Sequence, residues 1–110
     1  MSKEFAIKLC ITRIKKLCCE KQYDFVGRRK NLQALFDLGL TVEDVLEQLK
    51  GLSIEDYSGG PEADYDGSDG QVWKFIHPVM KTPVYIKVKF QSRPDGEVLK
   101  ILSFHPEEKE

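Results

Sequence analysis

Hydrophobic residues recur at three- and four-residue steps through the first half of the chain, which is the spacing of amphipathic helices. The first such stripe lies within residues 3–21 and consists of Leu9, Cys10, Ile14, Leu17 and Cys18. Two more stripes cover residues 32–38 and 42–49, and each stops before a glycine, Gly39 or Gly51. Because glycine readily adopts the left-handed conformation that ends many helices, these glycines predict helix ends. The pattern therefore predicts three helices.

Polar residues around the stripes give start and turn signals. Thr41 is followed three residues later by Asp44, a spacing that resembles a capping box and predicts the start of the third helix. Residues 23–26 are too short for a clear period, and an extended piece is one interpretation. Residues 58–70 are rich in glycine and aspartate and contain a proline. We therefore expect a loop there, the longest connection in the chain.

After Gly70 the period of the hydrophobic positions changes from helical to alternating, which is typical of β-strands. Three strands are predicted, over residues 71–76, 83–90 and 97–104. Short connections between consecutive strands favour an antiparallel meander. Since the helices come first and the strands second, we predict an α+β fold with N-terminal helices packed on one face of a C-terminal antiparallel β-sheet.

Alternation in the middle strand separates an apolar face from a polar face. The apolar face is predicted to consist of Val84, Ile86, Val88 and Phe90. The opposite face carries Tyr85, Lys87 and Lys89. These cations indicate either an ordinary solvated strand face or a phosphate-binding surface, and the alternation by itself favours the solvated face.

The tryptophan and the histidines have both structural and functional interpretations. Trp73 has apolar neighbours and is predicted to be a core anchor, whereas His77 is expected at the surface or in a turn. His105 shares the parity of Leu99 and Ile101, so it is expected to end an apolar layer. A histidine in that position is often structural. An imidazole is also the side chain best suited to proton transfer at neutral pH, so His105 is a candidate catalytic group.

The composition supports one folded domain. Its near-neutral net charge is the sum of segments with opposite net charges. Of 110 residues 41% are hydrophobic, enough for one core, and we predict a single domain over residues 1–110. The 17 Lys and Arg and 18 Asp and Glu leave a net charge of -1. By segment, the net charge is +6 in 1–30, -3 in 31–53, -6 in 54–70 and +2 in 71–110. The near-neutral total is therefore compatible with an anionic partner bound at a local basic patch.

The sequence disfavours three classes of protein: membrane-spanning, disulfide-bonded and metal-binding proteins. No stretch reaches the roughly 20 consecutive apolar residues of a membrane-spanning helix, so no membrane partner is expected. Cys10, Cys18 and Cys19 form an odd set without metal-ligand spacing, which favours reduced cysteines of a cytosolic protein over a metal or redox site.

The acidic segment begins like a calcium loop but does not continue as one. Asp64, Asp66 and Ser68 have the required one-three-five spacing. The sixth and twelfth positions should be glycine and glutamate, and they are Asp69 and Phe75. A solvated loop without metal is therefore the better interpretation.

A series of short motifs, spread in order over residues 10–105, resembles the motility quorum-sensing regulator toxins, the MqsR family of RelE-like ribonucleases. These motifs are Arg28-Arg29, Leu38-Gly39-Leu40, Gly51-Leu52-Ser53, Asp56-Tyr57, Val72-Trp73, Val84-Tyr85-Ile86-Lys87 and Leu102-Ser103-Phe104. The resemblance implies a RelE-like fold and cleavage of single-stranded messenger RNA without metal or other cofactor. It also implies a type II toxin–antitoxin system, in which a cognate antitoxin protein neutralises the toxin.

The resemblance places the catalytic groups on Tyr85, on Lys74 directly after the tryptophan, and on His105 after the Ser-Phe pair. The family pattern has glutamine and lysine at the last two positions, so this chain departs from it at both. A further lysine of the family has no counterpart in Ser58-Gly59-Gly60.

The same resemblance, together with charge, assigns substrate binding to a basic track. Its members are the strand lysines Lys87 and Lys89 and the pair Arg28 and Arg29 before the second helix. An alternative is a non-catalytic regulatory or RNA-binding module on the same scaffold, because fold does not fix function.

Overall fold

A computed structural model describes residues 3–65, 67 and 70–108 of the chain. Over these residues it contains three α-helices and five β-strands. The helices are α1 (Lys3–Cys19), α2 (Arg29–Leu38) and α3 (Val42–Lys50), with a short 3-10 turn at Ile54–Asp56. The strands are β1 (Tyr23–Phe25), β2 (Tyr57–Ala63), β3 (Gln71–Val79), β4 (Thr82–Arg93) and β5 (Gly96–Pro106). The predicted α+β class is confirmed.

Local signals in the sequence account for the helix boundaries. Gly39 is left-handed, with φ of 68°, directly after α2. The capping box before α3 is present: the Asp44 backbone N–H donates to Thr41 Oγ1 at 3.2 Å, and the Thr41 N–H donates to Asp44 Oδ2 at 2.8 Å. These contacts satisfy backbone groups that a helix end leaves without partners, so the boundaries are fixed within a few residues.

The five strands form one mixed sheet in the order β1-β5-β4-β3-β2. Strands β3, β4 and β5 pair antiparallel, as the meander predicts, and β2 adds to β3 as a further antiparallel strand. The ambiguous piece at 23–26 becomes β1, which adds to the sheet in parallel with Tyr23 beside Leu99. A parallel partner is possible there because β1 and β5 are far apart in the chain and need no tight turn between them.

The prediction of a loop over 58–70 is wrong for its first half, because β2 occupies Tyr57–Ala63. Strand β2 lies at the sheet edge, where glycine and proline are tolerated, and its pairing with β3 is irregular. Gly60 has φ of 102°, and a Cβ there would lie 2.5 Å from the Val72 carbonyl oxygen. Gly60 therefore permits the backbones of β2 and β3 to approach closely.

One hydrophobic core lies between the sheet and the helices α1 and α3. It includes the apolar face of β4, as predicted, and Trp73. Cys10 and Cys18 are buried free thiols in α1, and burial raises their pKa values to about 12 and about 11, so they remain protonated. His77 is not a surface residue: its Nδ1 lies 2.8 Å from Asp56 Oδ2, and this half-buried pair ties the 3-10 turn to β3.

Helix α2 is joined to β5 by a buried side chain. The Asn31 Nδ2 amide donates to the Leu102 and Val26 carbonyls at 3.0 and 2.9 Å, and Asn31 Oδ1 accepts from the Phe104 N–H at 3.0 Å. The pairing of β1 with β5 ends at Phe25. Beyond that point the Asn31 side chain takes the place of a neighbouring strand and makes the hydrogen bonds that β5 would otherwise lack. These hydrogen bonds fix α2 beside the carboxyl end of β5.

Candidate active site on the polar face of the sheet

An irregularity in β5 decides where His105 lies. In the register with β4, Val88 pairs with Ile101 but Lys87 pairs with Ser103, so Leu102 is an extra residue in β5. Such a bulge reverses the alternation of the residues that follow it. The expectation that His105 shares the face of Leu99 and Ile101 is therefore wrong, and His105 lies on the polar face instead.

On that face His105 is the cross-strand neighbour of Tyr85. Their ring centroids are 5.6 Å apart, with planes inclined at 44°. Burial raises the pKa of the Tyr85 phenol, while the nearby Lys74 ammonium acts in the opposite direction. The phenol therefore keeps its proton and remains a hydrogen-bond donor beside the imidazole.

The imidazole of His105 has one nitrogen committed to the backbone. Its Nδ1 lies 3.0 Å from the Pro106 carbonyl oxygen, which can only accept a hydrogen bond. In the neutral ring the proton is therefore on Nδ1, and Nε2 carries the lone pair. This tautomer leaves Nε2 available as a base.

Lys74 and Lys87 form the next cross-strand row, adjacent to the row of Tyr85 and His105. Lys74 Nζ lies 2.9 Å from Glu62 Oε1 of β2. That hydrogen bond is the main cause of a raised Lys74 pKa, so Lys74 remains a cation. Lys87 Nζ lies 5.1 Å from the ring centroid of Tyr65, which is within cation–π distance.

Lys89 is placed on the same face but is not solvated. Its Nζ lies 2.6 Å from Asp64 Oδ2, and the side chains of Lys89 and Asp64 are only 3% and 10% exposed. The interpretation of this face as an ordinary solvated one therefore does not hold for Lys89. A phosphate could reach this ammonium only by displacing the Asp64 carboxylate.

Two adjoining cavities meet at His105. The larger, the α2 cleft, has a volume of about 510 Å³ and lies between α2 and the end of β5. It is lined by Arg29, Lys30, Gln33, Ala34, Asp37, His105, Pro106 and Glu108. The smaller has a volume of about 400 Å³ and is lined by Ser58, Ile76, Tyr85, His105, Glu107 and Glu108. His105 is thus accessible from both sides of the site.

The residues assigned from sequence are only partly brought together. Tyr85, His105, Lys74 and Lys87 form adjacent rows on one face. Arg29 reaches the site through the α2 cleft. Arg28 is the exposed residue before α2 and does not line either cavity.

Sequence reasoning missed Glu62 and Asn31. Glu62 belongs to the acidic segment, and its role follows only once that segment is seen to pair as a strand beside Lys74. Asn31 gave no signal, since a single asparagine in a helix is most often exposed. Glu62 and Asn31 both contact residues that are distant from them in the sequence, so a local pattern does not reveal their roles.

The calcium-loop positions are partly outside the described residues, which include Asp64 but not Asp66, Ser68 or Asp69. Within the described part of the chain, no group of three or more His, Cys, Asp or Glu side chains is arranged to hold a metal ion. In the same part, no helix is both long enough and apolar enough to cross a membrane.

Comparisons of this chain with protein-family models, with curated proteins and with solved structures give no match. The function is therefore inferred from the geometry of the polar face and from the sequence motifs.

Proposed function

We propose that this chain is the toxin of a type II toxin–antitoxin pair, a metal-independent endoribonuclease that cleaves single-stranded messenger RNA in the cytoplasm and so inhibits translation and growth. The observation that carries the proposal is the Tyr85–His105 pair beside the Lys74–Lys87 row. This set supplies a base, a neutral donor and two cations on one surface. The resemblance of the motifs to the MqsR toxins supports the same activity and adds the cognate antitoxin as a partner.

In the proposed mechanism His105 activates the nucleophile. Its Nε2 accepts the proton of the ribose 2′-hydroxyl, because Nδ1 is held by the Pro106 carbonyl. The 2′-oxygen then attacks the adjacent phosphorus. The bond from phosphorus to the 5′-oxygen breaks, and the leaving oxygen takes a proton from a water molecule, while the His105 imidazolium returns its proton to the solvent. The products are a 2′,3′-cyclic phosphate and a 5′-hydroxyl.

The remaining groups stabilise the charge that develops on the phosphate. Lys74 and Lys87 offer fixed cations, and the raised Lys74 pKa makes that residue an electrostatic group rather than a proton donor. Tyr85 retains its hydroxyl proton and can donate it in a hydrogen bond to a phosphate oxygen. None of these steps requires a metal ion.

The test is cleavage of a short unstructured RNA by the purified protein in the presence of EDTA. The wild type should leave 2′,3′-cyclic phosphate ends. His105→Ala should lower the rate by about 10²- to 10⁴-fold, the usual contribution of general acid–base catalysis. Tyr85→Phe should also lower the rate, whereas Tyr23→Phe, the same change on β1 against the core, should not. Expression of the wild type should arrest growth, and the His105 and Tyr85 variants should relieve the arrest.

Cleavage that survives His105→Ala would refute the role given to that residue. Binding of RNA without any cleavage by the wild type would instead support the alternative, a non-catalytic regulatory or RNA-binding module. One observation favours that alternative: Lys74 and Lys89 are already engaged by carboxylates.

A further inference from the structure

We propose that the α2 cleft binds the nucleobase next to the scissile phosphate and selects bases that carry an exocyclic amino group, adenine, cytosine and guanine, over uracil. This inference rests on the proposed ribonuclease function and names a specificity site for it. The cleft is separate from the groups that perform the chemistry, apart from the shared His105.

The position of the cleft fits a base rather than a phosphate. It adjoins the Tyr85–His105 pair through His105, so a nucleotide whose phosphate lies at that pair has one neighbouring base within reach. The volume of about 510 Å³ falls in the range of small-molecule sites. Ala34 and Pro106 supply apolar wall, and single-stranded RNA presents unstacked bases to such surfaces.

One polar stripe of α2 faces the cleft. Arg29, Gln33 and Asp37 are spaced four residues apart, which places them on the same side of the helix, and all three line the cavity. Gln33 Nε2 donates to Asp37 Oδ1 at 2.9 Å. This bond orients the carboxylate and leaves its second oxygen, Oδ2, able to accept from a ligand.

The chemistry of the stripe discriminates among bases. A carboxylate accepts hydrogen bonds from the amino groups of adenine, cytosine and guanine. Uracil has a carbonyl oxygen in place of such a group, and the one donor on its edge, N3–H, lies between two carbonyl oxygens that repel a carboxylate. The Arg29 guanidinium can donate to the acceptors that every base offers, which are ring nitrogens in adenine, carbonyl oxygens in uracil and both in guanine and cytosine. Discrimination is assigned to Asp37, because the other carboxylate of the cleft, Glu108, is paired with Lys30, and Arg29 contributes attraction.

The experiment compares four RNA oligonucleotides that differ only in the base next to a single cleavable linkage. The wild type should cleave the uracil substrate roughly tenfold more slowly than the best of the other three, the usual discrimination of one good base contact. Asp37→Asn should reduce that difference, because the asparagine amide can donate to uracil. Phe36→Ala is the matched control, since Phe36 is the neighbouring residue, is 81% exposed and lies outside the cleft.

A second measurement separates this inference from the proposed function. Binding of AMP, CMP, GMP and UMP is followed by NMR shifts of the amides of α2. Weaker binding of UMP, made more equal by Asp37→Asn, supports the cleft even if no RNA is cleaved. Cleavage with equal rates at all four bases, unchanged by Asp37→Asn, overturns the inference and leaves the ribonuclease proposal intact.

Discussion

At the scale of single residues, two of the lysines on the polar face, Lys74 and Lys89, are already bound to carboxylates. Glu62 holds Lys74 at 2.9 Å and Asp64 holds Lys89 at 2.6 Å. Glu62 and Asp64 are two residues apart, and in an extended chain residues with that spacing lie on the same side. An RNA phosphate bound as we propose would compete with Glu62 for Lys74, while the same carboxylate keeps Lys74 charged.

Replacing Glu62 should shift that competition toward RNA. In Glu62→Gln we expect the Lys74 pKa to fall toward its ordinary value and single-stranded RNA to bind about two- to fivefold more tightly, as suits a partly exposed ion pair. The measurement is fluorescence anisotropy with a 2′-O-methyl oligonucleotide that cannot be cleaved. Glu43→Gln breaks a similar pair with Lys21 on the helical layer and should change nothing. Weaker binding by Glu62→Gln would contradict the prediction.

At the scale of elements, the site depends on how α2 is held against β5. Asn31 bonds the Leu102 carbonyl and the Phe104 N–H, directly beside the bulge that turns His105 onto the polar face. The wall that α2 contributes to the cleft is therefore held by this buried amide together with the packing of Leu35 and Leu38 against the core. Removing that amide leaves two backbone groups of β5 without partners.

Asn31→Ala should destabilise the fold by about 1–3 kcal/mol, the cost of leaving buried polar groups unsatisfied. Urea unfolding followed by circular dichroism measures this loss. Leu32→Ala, at an exposed position of the same helix, should cost much less. If the two variants unfold at the same urea concentration, Asn31 does not anchor α2.

At the scale of the whole molecule, the part of the basic amino-terminal segment that forms α1 does not face the candidate site. Helix α1 packs its apolar stripe on the core face of the sheet, opposite to Tyr85 and His105. Some of the charges in this segment are also compensated, since Arg13 pairs with Glu97 and Lys30 with Glu108. The net charges of the separate segments indicate a local basic patch. That patch is therefore formed by the lysines of the sheet and by Arg29.

RNA binding should accordingly be moderate and sensitive to salt through a small number of phosphate contacts. Lys87→Ala should lower the slope of log affinity against log salt concentration by about 0.7, the value for one phosphate contact on a single strand. Lys15→Ala, on the exposed face of α1, should leave the slope unchanged. Anisotropy titrations at several salt concentrations give both slopes. Equal losses would show that α1 also contacts RNA.

Much of the architecture follows from the order of residues alone, because helices and strand faces depend on neighbours a few positions away. The three helices, the left-handed Gly39 and the Thr41–Asp44 capping box all appear where the sequence predicts them. The stripe predicted over residues 32–38 is wrong as a buried face, because Leu32 and Phe36 are exposed while Asn31 and Ala34 are buried. Leu9 of the stripe in α1 is exposed as well. The apolar and polar faces of β4 are also as predicted, since alternation is a local property.

Tertiary structure alone decided the features that form the candidate site. The parallel pairing of β1, the pairing of a glycine-rich segment as β2 and the extra Leu102 in β5 depend on hydrogen bonds between distant residues. The bulge matters most, because a shift of one residue moves every later side chain to the other face. The sequence determined that the chain contains His105 and Tyr85, and the pairing of β4 with a bulged β5 placed them side by side.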